Sequence, residues 1–165
     1  MAAVHNADLL STVLAERAIR QTFFLYFRLC DTHQWERVAR ECFTPDAEVT
    51  FTARAQPRHT LRGREEIHNF YRSQYGDANE TGLERMAHVA GQTVIDWTDG
   101  IPTMRASVTA WRWFRSSSAG GDRRPADEAV IAFSEEDYAE VDDGAWLVAR
   151  RHVNYHGTAV GRPSA

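Results

Sequence analysis

Residues 26–51 read YFRLCDTHQWERVARECFTPDAEVTF, and this stretch decides how the chain folds. It ends one predicted helix, begins a second near Asp31, and passes through a turn at 44–46 into a strand. In a continuing helix, Phe27 and Phe24 precede Asp31 by four and seven residues, which places its carboxylate on the side predicted to be buried. A carboxylate there is costly unless it is paired or used, so Asp31 is the most informative residue of the stretch.

The composition predicts one folded domain over residues 1–165, with an ordered core of about residues 8–156. Hydrophobic residues make up 43% and aromatic residues 11%, which favours a packed interior with aromatic-lined space. The net charge of −4 gives no electrostatic reason to expect a nucleic-acid or anionic-membrane partner. All 19 basic residues are arginine, which excludes a Schiff-base lysine and a phosphate-loop lysine.

The two cysteines and the N-terminus predict a cellular location. Cys30 and Cys42 lack CxxC spacing and are expected to be buried thiols in a reducing compartment. The N-terminal residues have no basic start followed by an apolar run, and no apolar stretch approaches the roughly 20 residues that a membrane span needs. We therefore expect a soluble, cytoplasmic protein.

The periodicity of apolar residues predicts helices first and strands afterwards. Helices are expected over residues 8–30, 34–42 and 64–74. Strands are expected over residues 47–51, 60–62, 85–97, 104–115, 129–141 and 145–155, with a loop at 116–126, a hairpin turn at 142–144 and a loose tail from 157. This order predicts an α+β fold, a curved and mainly antiparallel sheet wrapped around three helices with an internal pocket.

With that order in place, the chain resembles a known family over residues 10–152. The resemblance is carried by YFRLCDTHQW (26–35), FTPDA (43–47), LRGREEI (61–67), RMAHV (85–89), DY (137–138), DDGAW (142–146) and RR (150–151). These motifs are similar to the SnoaL-like branch of the nuclear-transport-factor-like cone fold. That branch includes polyketide cyclases, ketosteroid-isomerase relatives and scytalone dehydratase. Because the fold hosts many chemistries, the resemblance is specific for the fold and weak for the reaction.

The resemblance implies a catalytic pair, Asp31 and His88, facing each other across the pocket as in dehydratase-like members. It also shows two departures from scytalone dehydratase. A second pocket histidine falls at or near Trp113, and a pocket tyrosine falls at or near Phe51. These departures argue against the reaction of scytalone dehydratase. They leave Asp31 and His88 as an intact acid–base pair.

From the residues alone, Asp31 and His88 have simpler interpretations. Residues 31–34, DTHQ, resemble a capping box, in which Asp31 would cap the second helix. His88 could be an ordinary strand histidine. Strand alternation places it on one face with Ala90, Gln92 and Val94, a mixed polar and small set typical of a pocket wall. Which of the two residues would act as the base stays open at this stage.

Other residues are candidates for contacting a substrate. The aromatic and acidic candidates are Tyr26, Phe51, Tyr71, Trp111, Trp113 and Glu136. The tryptophans could stack on a flat ring or pack in a core or dimer interface, and each tyrosine could donate its hydroxyl or be a core residue. No metal site is predicted, because the pair His152 and His156 has no obvious third ligand.

The leading hypothesis is a cofactor-independent acid–base enzyme of lyase or isomerase type. It would cyclise, isomerise or dehydrate a hydrophobic oxygenated small molecule, polyketide-like or aromatic, in secondary metabolism. A homodimer is expected from the exposed sheet faces. Two alternatives stay open: a non-catalytic protein that binds a ligand or supports an oligomer, and an epoxide hydrolase that uses water between Asp31 and His88.

Overall fold

Three helices pack on one side of a six-stranded sheet in a computed structural model that describes residues 6–53, 56–76, 82–115 and 124–159. The helices are α1 (Asn6–Asp31), α2 (Trp35–Cys42) and α3 (Gly63–Tyr75). The strands are β1 (Phe43–Ala53), β2 (Gln56–Arg62), β3 (Leu83–Thr98), β4 (Ile101–Phe114), β5 (Glu128–Glu140) and β6 (Trp146–Ala159). The predicted α+β class and the order of elements are confirmed.

The sheet is curved and unclosed, with the strand order β2-β1-β6-β5-β4-β3. Neighbouring strands are antiparallel except β1 and β6, which pair in parallel and join the first strand to the last. We call the side that packs against the helices the inner face and the opposite side the outer face. None of the described helices is both long and apolar enough to cross a membrane.

One predicted turn and the predicted tail differ from the structure. Residues 44–46, predicted as a turn, belong to β1, where pairing with β6 shifts between Phe43 and Glu48. Such an irregularity accommodates Pro45, which has no N–H for a ladder. The predicted hairpin at 142–144 is confirmed, since a short 3-10 helix there joins the antiparallel strands β5 and β6, and β6 continues into the predicted tail to Ala159. Most of the predicted loop, residues 116–123, and the end of the tail, residues 160–165, lie outside the described residues.

Helix α1 buries a face centred on Phe23, Phe27 and Cys30. Phe24, expected to be buried with them, is 53% exposed. It lies one residue, or about 100°, around the helix from Phe23, and so points away from the sheet. The side chain of Asp31, at the last residue of α1, is 28% exposed and therefore sits at the margin of the buried face rather than within it.

A bulge in β3 changes which side chains face inward. Ala90 pairs with Val108 and Thr93 with Ala106, so β3 has one residue more than β4 between these pairs. Met86, His88 and Ala90 face the helices before the bulge, whereas Thr93 and Ile95 do so after it. Arg20 of α1 donates a 2.6 Å hydrogen bond to the Thr93 hydroxyl. The prediction that Gln92 and Val94 share the face of His88 is wrong for this reason, and both are exposed.

Candidate active site

Asp31 contacts His88 at two points. Its Oδ1 lies 2.6 Å from His88 Nδ1, and its Oδ2 accepts the backbone N–H of His88 at 3.1 Å. An ionised carboxylate can only accept, so Nδ1 is the donor to Asp31, and in a neutral imidazole the free lone pair is then on Nε2. The His88 side chain is 14% exposed, and its ring packs 4.9 Å from that of Phe27. The carboxylate therefore fixes both the position and the tautomer of the ring.

The end of α1 explains why Asp31 is free to do this. His33 has φ of 56°, its N–H donates to the Cys30 carbonyl, and the Gln34 N–H donates to the Leu29 carbonyl. This pair of bonds closes the helix as a Schellman motif, with His33 in the left-handed conformation. Asp31 is thus the last residue of α1. The cap position of α2 is Gln34, which makes no side-chain cap bond, so the capping-box interpretation of Asp31 is wrong.

His88 lines a cavity between the helices and the inner face of the sheet. The volume of the cavity is about 60 Å³. That is room for several waters or a compact ring. Its wall consists of Phe27, Cys30, Trp35, Phe51, Tyr71, Tyr75, Met86, His88, Val108, Ala110, Arg112, Val130, Ala132, Ser134, Arg151, Val153 and Tyr155. The wall is apolar and aromatic, with a few polar groups directed into it, as in ligand-binding cavities generally.

Comparison with known proteins gives the family. A family model described as the SnoaL-like domain matches residues 11–152, which include both members of the dyad and all six strands in whole or in part. The chain belongs to the SnoaL-like family. No curated protein matches it.

Solved structures of similar fold include members named for different reactions. A candidate scytalone dehydratase from Novosphingobium aromaticivorans DSM 12444 is 20% identical, with a TM-score of 0.71 over 94% of this chain and 93% of that one. ActVI-ORFA from Streptomyces coelicolor is 17% identical, with a TM-score of 0.68 over 85% and 96%. The hexachlorocyclohexane dehydrochlorinase LinA-type3 from Novosphingobium barchaimii LL02 is 12% identical, with a TM-score of 0.67 over 94% and 99%. At these identities the likeness concerns the fold.

Among the predicted contact residues, Phe51 and Tyr71 line the SnoaL-like cavity. The Phe51 ring stacks 5.2 Å from Phe70 and 6.1 Å from Tyr155. Tyr26 lies behind the wall, 7% exposed, with its hydroxyl 2.7 Å from that of Tyr71. Burial raises the pKa of both tyrosines, so both hydroxyls stay protonated. Tyr71 is in place for a ligand, whereas Tyr26 reaches one only through Tyr71.

The structure does not bring Trp111 and Trp113 to the cavity. Both side chains lie on the outer face, where Trp111 is 37% exposed and Trp113 Nε1 donates to the Arg124 carbonyl at 3.2 Å. The inner positions of β4 are the even-numbered ones, which include Val108, Ala110 and Arg112. The small side chains of Val108 and Ala110 leave the cavity open at this part of the wall. The expectation that the tryptophans form a stacking platform is corrected accordingly.

Glu136 does face inward, but it lies beneath Arg151 rather than on the cavity wall. It is 1% exposed, accepts the Tyr138 hydroxyl at 2.6 Å, and places Oε1 3.1 Å from Arg151 Nε. The guanidinium of Arg151 lies 3.8 Å from the ring centre of Tyr26. Burial is the largest single effect and lowers the pKa of Arg151, but Glu136 together with the nearby Tyr26, Tyr71 and Cys30 raises it by more, so the pKa stays well above its usual range. Arg151 is therefore a permanent buried cation on the wall.

Sequence analysis missed three polar residues of the wall: Arg112, Ser134 and Arg151. Ser134 is 5% exposed, and its Oγ has no hydrogen-bond partner among the described residues. One signal was available. Small residues alternate at 130, 132 and 134 of β5, as they do at 108 and 110 of β4, which is typical of a wall that leaves space. Following that alternation would have placed Arg112, not its tryptophan neighbours, inside.

The histidine pair near the C-terminus lies apart from the cavity. His152 Nε2 is 3.0 Å from the Thr52 hydroxyl, and the His156 ring packs 4.7 Å from Phe133 on the outer face. Within the described residues, no group of three or more His, Cys, Asp or Glu is arranged to hold a metal ion.

Proposed function

We propose that this SnoaL-like protein is a cofactor-independent acid–base enzyme of lyase or isomerase type, acting on a hydrophobic, oxygenated small molecule. The observation that carries the proposal is the Asp31–His88 contact, because it leaves His88 Nε2 as a proton acceptor at the wall of an apolar cavity. A neutral imidazole held by a carboxylate can take a proton from carbon and return it to oxygen or to another carbon.

The chemistry follows from the charges around the ring. When Nε2 takes a proton from carbon next to a carbonyl, the imidazolium is stabilised by Asp31 at 2.6 Å, and negative charge moves to the carbonyl oxygen. Ser134 Oγ and Arg151 also line the cavity, and as hydrogen-bond donors they can stabilise this negative charge. If the imidazolium then protonates a leaving hydroxyl, water is released. If it protonates a second carbon, the double bond moves.

Two features favour a catalytic role over simple ligand binding. The dyad is already formed, and it borders a cavity rather than packed core. A protein that only binds a ligand has no need to hold a histidine tautomer with a half-buried carboxylate, which costs free energy to desolvate. Two of the structural neighbours, a dehydratase and a dehydrochlorinase, are also named for elimination reactions.

The test is hydrogen exchange at carbon. Wild-type protein in D₂O is incubated with a set of aryl β-hydroxyketones and cyclic enones, and NMR follows deuterium incorporation and product formation. We expect incorporation that His88→Ala abolishes and that His156→Ala, a change in a histidine outside the cavity, leaves intact. No incorporation into any compound that the protein binds would contradict the proposal.

The same experiment in ¹⁸O-labelled water separates the hydrolase alternative. Label in the product would indicate addition of water to an epoxide rather than elimination or isomerisation. The expected homodimer, cytoplasmic location and role in secondary metabolism remain predictions, of which light scattering tests the first. Exposed Val89 of β3 and exposed Ile131 and Phe133 of β5 support it, because these apolar side chains share the outer face on either side of Thr109 of β4.

A further inference from the structure

The cavity wall has an excess of positive groups. Among the described residues, those that line it include two guanidinium groups, Arg112 and Arg151, and no carboxylate. The carboxylates that balance them, Glu128 and Glu136, lie beside or behind them and do not line the space. A ligand in the cavity therefore meets hydrogen-bond donors of positive charge on walls that are otherwise apolar.

The two arginines differ in the exposure of their side chains and in the groups that they contact. The Arg151 side chain is 4% exposed, paired with Glu136 and stacked on Tyr26. The Arg112 side chain is 20% exposed and, among the described residues, makes one hydrogen bond, from Nη1 to Glu128 at 3.1 Å. Its guanidinium lies 5.7 Å from the ring centre of Tyr75. The Arg112 guanidinium, which lies over the Tyr75 ring, therefore has further N–H donors that form no hydrogen bond with the described residues.

Strand register places Arg112 close to the dyad. Ala110 of β4 pairs with His88, and Arg112 pairs with Met86, two residues along the same inner face. Two residues of a strand span roughly 7 Å, about the length of a substituted aromatic ring. A substrate group bound to Arg112 would therefore be separated from the carbon atom that reacts at His88 by about the length of one aromatic ring.

We propose that the substrate carries a carboxylate, and that Arg112 binds it as the specificity-determining residue. This inference rests on the proposed function only for the part of the substrate that reacts at His88. The guanidinium presents parallel N–H donors that match the two oxygens of a carboxylate, a fit that an ester or amide cannot reproduce. The wall around Arg112, formed by Tyr75, Tyr155 and Met86, accommodates the adjoining ring.

The test compares acids with their methyl esters. Binding of benzoate, cinnamate and 2-naphthoate, each beside its ester, is measured by calorimetry with wild-type protein, Arg112→Gln and Arg105→Gln. Arg105 is a matched control because it lies on the outer face of β4, paired with Glu135 and Asp96. We expect at least one acid to bind wild type and Arg105→Gln about tenfold more tightly than its ester, and Arg112→Gln to lose that preference.

Three results would overturn the inference: no acid binds wild type more tightly than its ester, the preference survives in Arg112→Gln, or Arg105→Gln loses it equally. If Arg112→Gln fails to fold, Glu128→Gln provides the test instead. This substitution frees the Arg112 guanidinium from its ion pair and should strengthen binding of the acids. Weaker binding of the acids in Glu128→Gln would contradict the inference. His88→Ala should keep the acid preference while losing deuterium exchange, so failure of the proposed reaction is distinguishable from failure of carboxylate recognition.

Discussion

The carboxylate of Asp31 binds the backbone N–H and the ring of the same residue, His88, which lies 57 positions along the chain. The hydrogen bond from the His88 backbone N–H to Oδ2 fixes the position of the carboxylate along β3. The other oxygen, Oδ1, then fixes the orientation of the imidazole ring. The end of a helix and the edge strand of the sheet are thereby joined through Asp31 and His88.

Replacing Asp31 by Asn tests this arrangement. The amide can keep one contact, but it lacks the charge that stabilises the imidazolium, so turnover is expected to fall by about 10² to 10⁴. The measurement is the deuterium exchange rate with the best compound from the NMR set. Asp96→Asn, in an exposed ion pair on the same strand β3, is the control and should leave the rate unchanged. Equal rates in wild type and Asp31→Asn would remove Asp31 from the mechanism.

Glu136→Gln should destabilise the fold strongly. It leaves Arg151 buried without its counter-charge, and breaking a buried ion pair in this way costs about 3–5 kcal/mol. Urea unfolding measures the difference. Glu135→Gln removes a carboxylate that is 54% exposed and bonded to Arg105, and it should change the free energy of unfolding by less than about 1 kcal/mol. Similar effects of the two substitutions would show that Arg151 does not depend on Glu136.

Filling the cavity should weaken the binding of small molecules and change the stability of the fold only slightly. Ala110→Leu places three more carbons into the open space opposite His88, so binding of every compound that wild type binds should weaken about tenfold or more, while the free energy of unfolding changes by less than about 2 kcal/mol. Thr109→Leu adds bulk to the outer face of the same strand and should leave binding intact. Calorimetry and urea unfolding report the two quantities. Undiminished binding in Ala110→Leu would place the ligand elsewhere.

The Cys42 thiol should be unreactive until the protein unfolds. Burial is the main cause that raises its pKa from 9.0 to about 12, because the thiolate would be desolvated. The neutral thiol's contribution to stability is therefore complete below pH 9 and is lost as the pH rises toward 12. Labelling with a disulfide reagent at pH 8 should be slow in buffer and fast in urea, with Cys30 behaving in the same way. Fast labelling of the folded protein would contradict this.

The sequence allowed the fold to be predicted because its patterns are local. The helix periodicity before residue 31 and the run of long β-branched strands after residue 83 each gave an element of the right type within a few residues of its end. The residues around Pro45 are the clearest case of a segment assigned to the wrong element. There the parallel partner β6, about 100 residues away, extends β1 through a segment whose own composition favours a turn.

The candidate site was predictable only in part. The family motifs pointed to Asp31 and His88, and the structure places their side chains together. The side of β4 that faces the cavity could not be predicted from the bulkiest residues of the strand. Trp111 and Trp113 lie on the outer face, whereas the inner face carries smaller side chains such as Val108 and Ala110. Arg151 was also missed, since its role depends on a partner on β5, Glu136, that alternation alone could not pair with it.

The parallel pairing of β1 with β6 has a consequence for synthesis. Arg151, Val153 and Tyr155 belong to β6, which follows the other five described strands in the chain and lies between β1 and β5 in the sheet. During synthesis, Asp31 and His88 are therefore made before this part of the cavity wall. Binding in the cavity must wait until β6 is in place, and a chaperone that shields the exposed edge of β1 during that interval would protect the chain from aggregation.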